Sequence, residues 1–192
     1  MEKWNGRVAL VTGASSGIGS AVCEYLVKNG MKVVGAARRI ERLEDLAEKV
    51  KNEKGSFLPV KCDVTKDEDI YALFGKIKET FGGVDMVHQR NGAKLLILAG
   101  HYIDNIETLH FYTGSKFALR ALSEGLRQEL QAANSGIKLS VISPGLVKTE
   151  ILQNIPKDCD FSEKVMEMNP WMKSEDIALS VVQILSAPSY ME

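Results

Sequence analysis

Val8-Ala9-Leu10-Val11-Thr12-Gly13-Ala14-Ser15-Ser16-Gly17-Ile18-Gly19 is the stretch on which the fold turns. Its first four residues are apolar without alternation, the pattern of a strand covered on both faces, as in a parallel sheet. The run stops at Gly13. Ile18, Ala21, Val22, Tyr25 and Leu26 then recur at helical spacing, until Asn29-Gly30 ends the helix. Strand, glycine-rich turn and helix follow in that order, which is the opening of a βαβ unit.

Working outward, the same alternation repeats. Val33 to Ala37 reads as a second strand, and Leu43, Leu46, Ala47 and Val50 mark an amphipathic helix. Phe57 to Lys61 reads as a third strand. Ile70, Leu73, Phe74 and Ile77 mark a third helix, closed by Phe81-Gly82-Gly83, and Val84 to Val87 is a short fourth strand. Further on, Ser115 to Ala132 reads as a long helix with Ala118, Leu122, Leu126 and Leu130 on one stripe, and Leu139 to Ser143 as a strand. Ser174 reads as the N-cap of a last helix, with Glu175 and Asp176 in its first turn. Alternating strands and helices predict a doubly wound α/β sheet in a single domain over residues 1–192.

Residues 88–100 break the pattern. His88 to Ala93 is polar and turn-like, and Lys94 to Ala99 is strand-like, with no helix between it and the fourth strand. Parallel neighbours need a crossover of roughly a dozen residues or more. A parallel return here is barely within the reach of an extended chain, and an antiparallel return is easier.

Composition narrows the function. The net charge is −1, which gives no electrostatic case for nucleic acid or an anionic membrane. No apolar run approaches the roughly 20 residues of a membrane span, and the first strand begins too early for a cleavable signal peptide. Cys23, Cys62 and Cys159 lie far apart and suit buried thiols in a reducing, cytoplasmic setting. The three histidines show no ligand spacing, so no metal is assigned. Residues 150–172 are positioned to form a substrate lid.

The turn from Gly13 to Gly19 has the make-up of a diphosphate cradle. Gly13 makes the turn, Gly17 lets backbone N–H groups approach an anion, and Gly19 allows the helix to pack on the strand. A purely structural turn is the alternative. Arg38 and Arg39 follow the second strand, where an acidic residue would select NAD; arginines suit the extra phosphate of NADP, or form a solvated basic turn. Asp63, followed by Val64, could accept a bond from an adenine amino group or cap the helix starting near Thr65. Tyr112 and Lys116 stand four apart, on one face of a helix. An ammonium beside a phenol favours the phenolate, so the pair could exchange a proton with an alcohol or carbonyl oxygen while a nicotinamide exchanges hydride. Ser143-Pro144-Gly145-Leu146-Val147-Lys148-Thr149 follows the later strand. Thr149 offers a hydroxyl and a backbone donor, although a plain Pro-Gly turn accounts for Pro144 and Gly145 equally well.

Taken together, TGASSGIG, the Asp63-Val64 pair, YTGSK and SPGLVKT resemble the short-chain dehydrogenase/reductase superfamily, in its order, over roughly residues 5–87 and 100–188. The opening Trp4-to-Gly19 pattern, the phrase Gly125-Leu126-Arg127-Gln128-Glu129-Leu130 and the paired arginines look like its NADP-dependent branch that includes insect farnesol dehydrogenase. The resemblance implies an NADP-dependent oxidoreductase of lipophilic alcohols or carbonyl compounds, farnesol-, retinol- or steroid-like. By that likeness Gly13, Ser15, Ser16, Gly17, Ile18, Arg38, Arg39, Asp63, Val64, Asn91, Tyr112, Lys116, Pro144, Gly145, Val147 and Thr149 would line the cofactor, with Tyr112 and Lys116 catalytic.

The departures are as specific. Where the family has Asn-Asn-Ala-Gly, this chain has Gln89-Arg90-Asn91-Gly92. The family's catalytic serine falls on a strand corresponding to Leu96-Ile97-Leu98-Ala99, which holds no hydroxyl. About 45 residues, including the helix after the fourth strand that carries a catalytic asparagine and helps form the family's homo-oligomer interface, have no counterpart, and the final strand is not reached. The fold expected is therefore an incomplete Rossmann sheet. The alternative function is a catalytically impaired dinucleotide-binding or interaction protein.

Overall fold

A computed structural model describes residues 1–86, the backbone of 94–98, residues 110–150 and residues 171–188. β1 (Val8–Thr12), β2 (Lys32–Ala37) and β3 (Ser56–Lys61) form one sheet in the order β1-β2-β3. Both pairings are parallel, with Leu10 opposite Val34 and Val34 opposite Leu58. α1 (Gly17–Lys28), α2 (Ile40–Val50) and α3 (Asp67–Phe81) connect or follow these strands. Of the expected fourth strand, Met86 forms a parallel bridge with Ala9 on the free side of β1, and Leu10 N donates to Met86 O at 3.4 Å. Val87 lies outside the described residues.

Side-chain alternation explains why the sheet needs helices on both faces. Ala9, Val11, Val33 and Ala37 enter one core with residues of α1 and α2, while Val8, Leu10, Val34, Ala36 and Val60 enter a second core with Leu73 and Ile77 of α3. The first four residues of β1 are all buried, as the unbroken apolar run requires. A last helix, α5 (Ser174–Ser186), adds Ala178, Val181 and Leu185 to the first core and packs along α1. The chain start is fastened to the end of α5, where the buried indole N–H of Trp4 donates to Leu185 O at 2.7 Å.

β4 (Lys94–Leu98) pairs in parallel with β5 (Lys138–Ile142), and α4 (His110–Ala132) lies between them in sequence. The strand-like reading of 94–98 therefore holds, and the segment is not turned end for end relative to β5. The residues between Met86 and β4 lie outside those described. α4 starts at His110 rather than Ser115, so Tyr112 falls inside its first turn. Its stripe is not a buried one. Leu122 is 71% exposed, and Ser123 is its buried residue, the hydroxyl donating to Leu119 O at 2.7 Å. Further along the stripe, Leu126 and Leu130 are half-buried, and β5 packs against this helix.

One cap differs from expectation. α5 is capped by Lys173, and Ser174 is its first helical residue. The Asp176 carboxylate accepts from Lys173 N at 2.7 Å, which satisfies the N-cap backbone donor from inside the helix and leaves no task for a serine hydroxyl. Among the described residues, no helix is long and apolar enough to cross a membrane.

Candidate active site

The glycine turn is built as a cradle. Gly13 sits at φ +65°, and an added Cβ there would meet nothing within 4 Å. Gly19 is the opposite case, since a Cβ there would come within 2.3 Å of Gly13 O. The start of α1 thus lies directly on the turn, and only glycine permits it. Ser16 occupies the N-cap of α1 but makes no side-chain cap bond, and the first turn holds no acidic residue. The positive end of this helix is left without a side-chain anion of its own.

The Ser16 hydroxyl is engaged elsewhere. Arg39 Nη2 donates to Ser16 Oγ at 2.9 Å and to Ser15 Oγ at 3.2 Å, so the residue after β2 reaches across to the turn after β1. Of the paired arginines, it is Arg39 that makes this contact. Arg38 is exposed and acts on Asp63 through charge. Arg39 Nη1 also reaches Glu150 Oε2 at 3.5 Å, and Arg42 Nη1 donates to both Glu150 oxygens at 2.8 and 2.7 Å. Arg42 and Glu150 were not singled out in the sequence. Arg42 stands one turn along α2 from Arg39, which is a readable signal. The approach of Glu150 spans 108 positions and has no local one.

Asp63 takes a third course. Its Oδ1 accepts from Thr65 N at 3.1 Å and Thr65 Oγ1 at 2.8 Å, closing a turn ahead of α3. The helix itself begins at Asp67 behind the N-cap Lys66, so Asp63 does not cap it. The bonds from Thr65, with Arg38 and Lys66 nearby, hold the Asp63 carboxyl below the usual carboxylate range. Val64 beside it is exposed. Ile18 turns inward and packs against the first core, leaving only its backbone to face a ligand.

On α4, Lys116 Nζ lies 5.4 Å from the centroid of the Tyr112 ring, and the Tyr112 side chain is partly open to solvent. Ser115 Oγ donates to Tyr112 O at 2.6 Å, which fixes the helix start between the pair. The expected one-face arrangement is therefore present. The turn after β5 carries Pro144, Gly145, Val147 and Thr149 toward the glycine turn. Val147 bridges Met172, Lys148 N donates to Met172 O, and Met172 N donates to Leu146 O, each bond at 2.9 Å. Thr149 ends against Gly17, its Cγ2 3.1 Å from where a Gly17 Cβ would stand.

Two clusters result. Ser15, Ser16, Gly17, Arg39 and Thr149 lie together, and Tyr112 lies with Lys116. Among the described residues no hydrogen bond or ion pair joins the clusters. Asn91 lies outside the described residues, as do Cys159 and most of the 150–172 segment. A separate open cleft of about 300 Å³ borders Gly17, Ser20, Lys148 and Lys173 and includes the Glu24–Lys49 ion pair at 2.6 Å, but neither Arg39 nor Tyr112 lines it.

Comparison with known proteins places this geometry. The short chain dehydrogenase family model matches residues 7–102 and 98–160. The human dehydrogenase/reductase SDR family member 11 is 32% identical over 242 positions, covering 100% of this chain and 93% of that protein. About fifty of those positions therefore have no counterpart in the 192 residues here. Farnesol dehydrogenase of Aedes aegypti is 35% identical, covering 98% of this chain and 93% of its own. Among solved structures, a short-chain type dehydrogenase/reductase from Mycobacterium marinum superposes with a TM-score of 0.83 at 23% identity, over 98% of this chain and 92% of the other. An alcohol dehydrogenase from Thermococcus sibiricus complexed with 5-hydroxy-NADP gives 0.77 at 22% identity, over 98% and 94%. A short chain dehydrogenase/reductase from Burkholderia phymatum in complex with NAD gives 0.81 at 19% identity, over 97% and 88%. The family-model match and these relatives above 30% identity show that this chain belongs to the short-chain dehydrogenase/reductase family, with the Rossmann fold of that family.

Proposed function

We propose that the chain is an NADP-dependent oxidoreductase acting on a lipophilic alcohol or the corresponding carbonyl compound. The observation that carries this reading is Arg39, whose guanidinium joins the Ser15 and Ser16 hydroxyls at the end of β2. Two hydroxyls and a planar cation at this place suit a phosphate on the adenine-side ribose, which only NADP carries. The residues present fit the dinucleotide elsewhere too. The open side of Gly13 and the uncapped start of α1 offer space and N–H donors to a diphosphate. Ser15, Ser16, Arg38 and Arg39 would take the adenine end, with Asp63 and Val64 flanking the adenine, and the turn of Pro144, Gly145, Val147 and Thr149, which now rests on Gly17, would have to move off the glycine turn to reach the nicotinamide end.

When bound, the nicotinamide supplies hydride exchange. The chain supplies the matching proton. Tyr112 would accept it from an alcohol oxygen, or return it to a carbonyl oxygen, and the Lys116 ammonium on its ring would favour the charged phenolate. The exposure of Tyr112 is consistent with access by a substrate. The name of the mosquito relative supports a lipophilic alcohol as the substrate class.

The test is a pair of titrations followed by turnover. NADP should bind about tenfold or more tightly than NAD, and Arg39→Ala should remove most of that difference. Equal affinity for both in the unaltered chain would refute the cofactor assignment. Tyr112→Phe should lower turnover of farnesol, or of a retinoid or steroid alcohol, by about 100-fold or more while cofactor binding is kept. Undiminished turnover in that variant would refute the role of Tyr112.

A second reading, a dinucleotide-binding protein without turnover, is favoured by one feature. β4 pairs beside β5 with the sequence Lys94-Leu95-Leu96-Ile97-Leu98, and no residue of it offers a hydroxyl to polarise a substrate oxygen. Loss of such a donor commonly costs about 2.7–4 kcal/mol of transition-state stabilisation. NADP binding with no turnover on any alcohol or ketone would select this reading.

A further inference from the structure

Glu150 reaches Arg39, to which the NADP reading assigns a phosphate, and binds its neighbour Arg42. Its two carboxylate oxygens take bonds of 2.8 and 2.7 Å from Arg42 Nη1, and Oε2 lies 3.5 Å from Arg39 Nη1. The same Arg39 holds Ser15 and Ser16 through its other nitrogen. One guanidinium fork is thus shared between the glycine turn and a carboxylate from the far end of the chain. Arg39 is the N-cap of α2 and Arg42 lies in its first turn, so the helix end adds positive potential at the same spot.

Glu150 is held there by its own neighbours. Residues 146 and 148 are stitched to Met172, and Thr149 is seated on Gly17. A carboxylate so anchored resembles a phosphate in charge sign and in offering a pair of oxygens to a guanidinium. Arg42 first, and Arg39 with it, hold the Glu150 carboxyl below the usual carboxylate range, so at neutral pH it is an anion. Its side chain is 46% exposed, so the pair is reachable and replaceable from solvent. Exposed ion pairs are weak enough to exchange for a better partner.

We propose that Glu150 is a built-in competitor for the extra phosphate of NADP, a specificity-determining residue that must leave Arg39 and Arg42 before that phosphate is bound. The inference rests on the NADP reading above. It makes two statements that reading does not. Affinity for the phosphorylated cofactor is lower than the arginine pair alone would give, and its binding is coupled to release of residues 147–150 from the glycine turn. NAD, without the phosphate, leaves Glu150 in place.

The experiment compares the unaltered chain with Glu150→Gln and Glu150→Ala by calorimetric titration, using adenosine 2′,5′-bisphosphate, adenosine 5′-phosphate, NADP and NAD as probes. Glu150 is exposed and lies outside both cores, so neither variant loses packing. Expected is a gain of roughly three- to tenfold in affinity for the bisphosphate and for NADP, with 5′-phosphate and NAD unchanged within about twofold. Unchanged or weakened binding of bisphosphate in both variants, while the unaltered chain still prefers NADP, would overturn the competitor role and leave the NADP reading standing. No preference of the unaltered chain for bisphosphate over 5′-phosphate would overturn both.

Discussion

Gly19→Ala tests whether the glycine turn is held by backbone contact. An ideal Cβ at Gly19 would stand 2.3 Å from Gly13 O, 2.8 Å from Gly13 C and 3.2 Å from Ala14 Cα. All three are backbone atoms, so no side chain can swing aside. Ordinary carbon–oxygen contacts are about 3.3–3.6 Å, so the turn and helix must part by about 1 Å. That movement strains Ala14, which is fully buried and donates from its backbone N to Ala36 O at 3.3 Å. Overpacking costs about 1–3 kcal/mol, and a weakened hydrogen bond adds about 0.5–1.5 kcal/mol. Alanine in a helix returns about 0.5–1 kcal/mol. The net loss is about 0.5–4 kcal/mol, which lowers the melting temperature by about 1–16 °C in a domain of this size. Gly75→Ala is the control. It lies within α3 with nothing within 4 Å, so only the helix gain of about 0.5–1 kcal/mol remains. Thermal melts followed by circular dichroism should move the two variants in opposite directions. If Gly19→Ala melts at or above the unaltered chain, the close approach of α1 to the turn is not as described. A second reading of the same samples adds force, because on the NADP reading the cofactor should raise the melt of the unaltered chain and Gly19→Ala should lose that shift.

Three further outcomes follow from single contacts. Trp4→Phe removes the buried bond to Leu185 O and should cost about 1–3 kcal/mol in urea unfolding; an unchanged midpoint would mean that the N-terminal turn does not hold α5. Cys23 is fully buried, and burial pushes its thiol well above the ordinary range. A thiol reagent followed by peptide mass analysis should therefore leave Cys23 unmodified until the chain unfolds, and native labelling as fast as in urea would contradict its placement. Glu124 is held down to about 2, mainly by its bonds from Arg127 and then from Gln128. A depressed carboxylate contributes stability that is present above its unfolded value and fades as pH falls toward 2. In Arg127→Met the Glu124 carboxyl, followed by carbon NMR, should titrate nearer the ordinary glutamate range, and a midpoint still near 2 would rule out Arg127 as the cause.

The opening stretch shows how much the sequence alone could carry. Val8 to Thr12 is read correctly because a strand buried on both faces must be apolar without interruption. Gly19 is read correctly because close helix–strand packing admits no side chain. The shared helical face of Tyr112 and Lys116 is read correctly because four residues make about one helical turn. What escaped depends on which of several possible partners a side chain takes. Nothing near Ser174 announces that Asp176 caps the helix backward onto Lys173. Nothing near Arg38 and Arg39 says which of the two turns to Ser15 and Ser16. The apolar stripe of α4 promises burial, yet Leu122 stands open, because periodicity reports what a helix could bury and not whether a partner is there.

Glu150 adds a distinction between local and distant information. Its place beside Arg39 and Arg42 follows from a chain of contacts, each with its own cause. α5 packs on α1 through Ala178, Val181 and Leu185 within the first core. Lys173 and Met172 lead into α5, so their position is set by that packing. Met172 pairs with residues 146–148, which sets where the turn after β5 can run. Thr149 then meets Gly17, and the next residue reaches the arginines. The cover over the glycine turn is thus positioned from the α1–α5 core rather than from β4 or from the stripe of α4. On the NADP reading, a site governed by this cover would keep its phosphate selectivity although Lys94 to Leu98 of β4 offer no hydroxyl to a substrate. On the NADP reading, cofactor discrimination and catalysis would be separable, and the Arg39, Glu150 and Tyr112 variants test them one at a time.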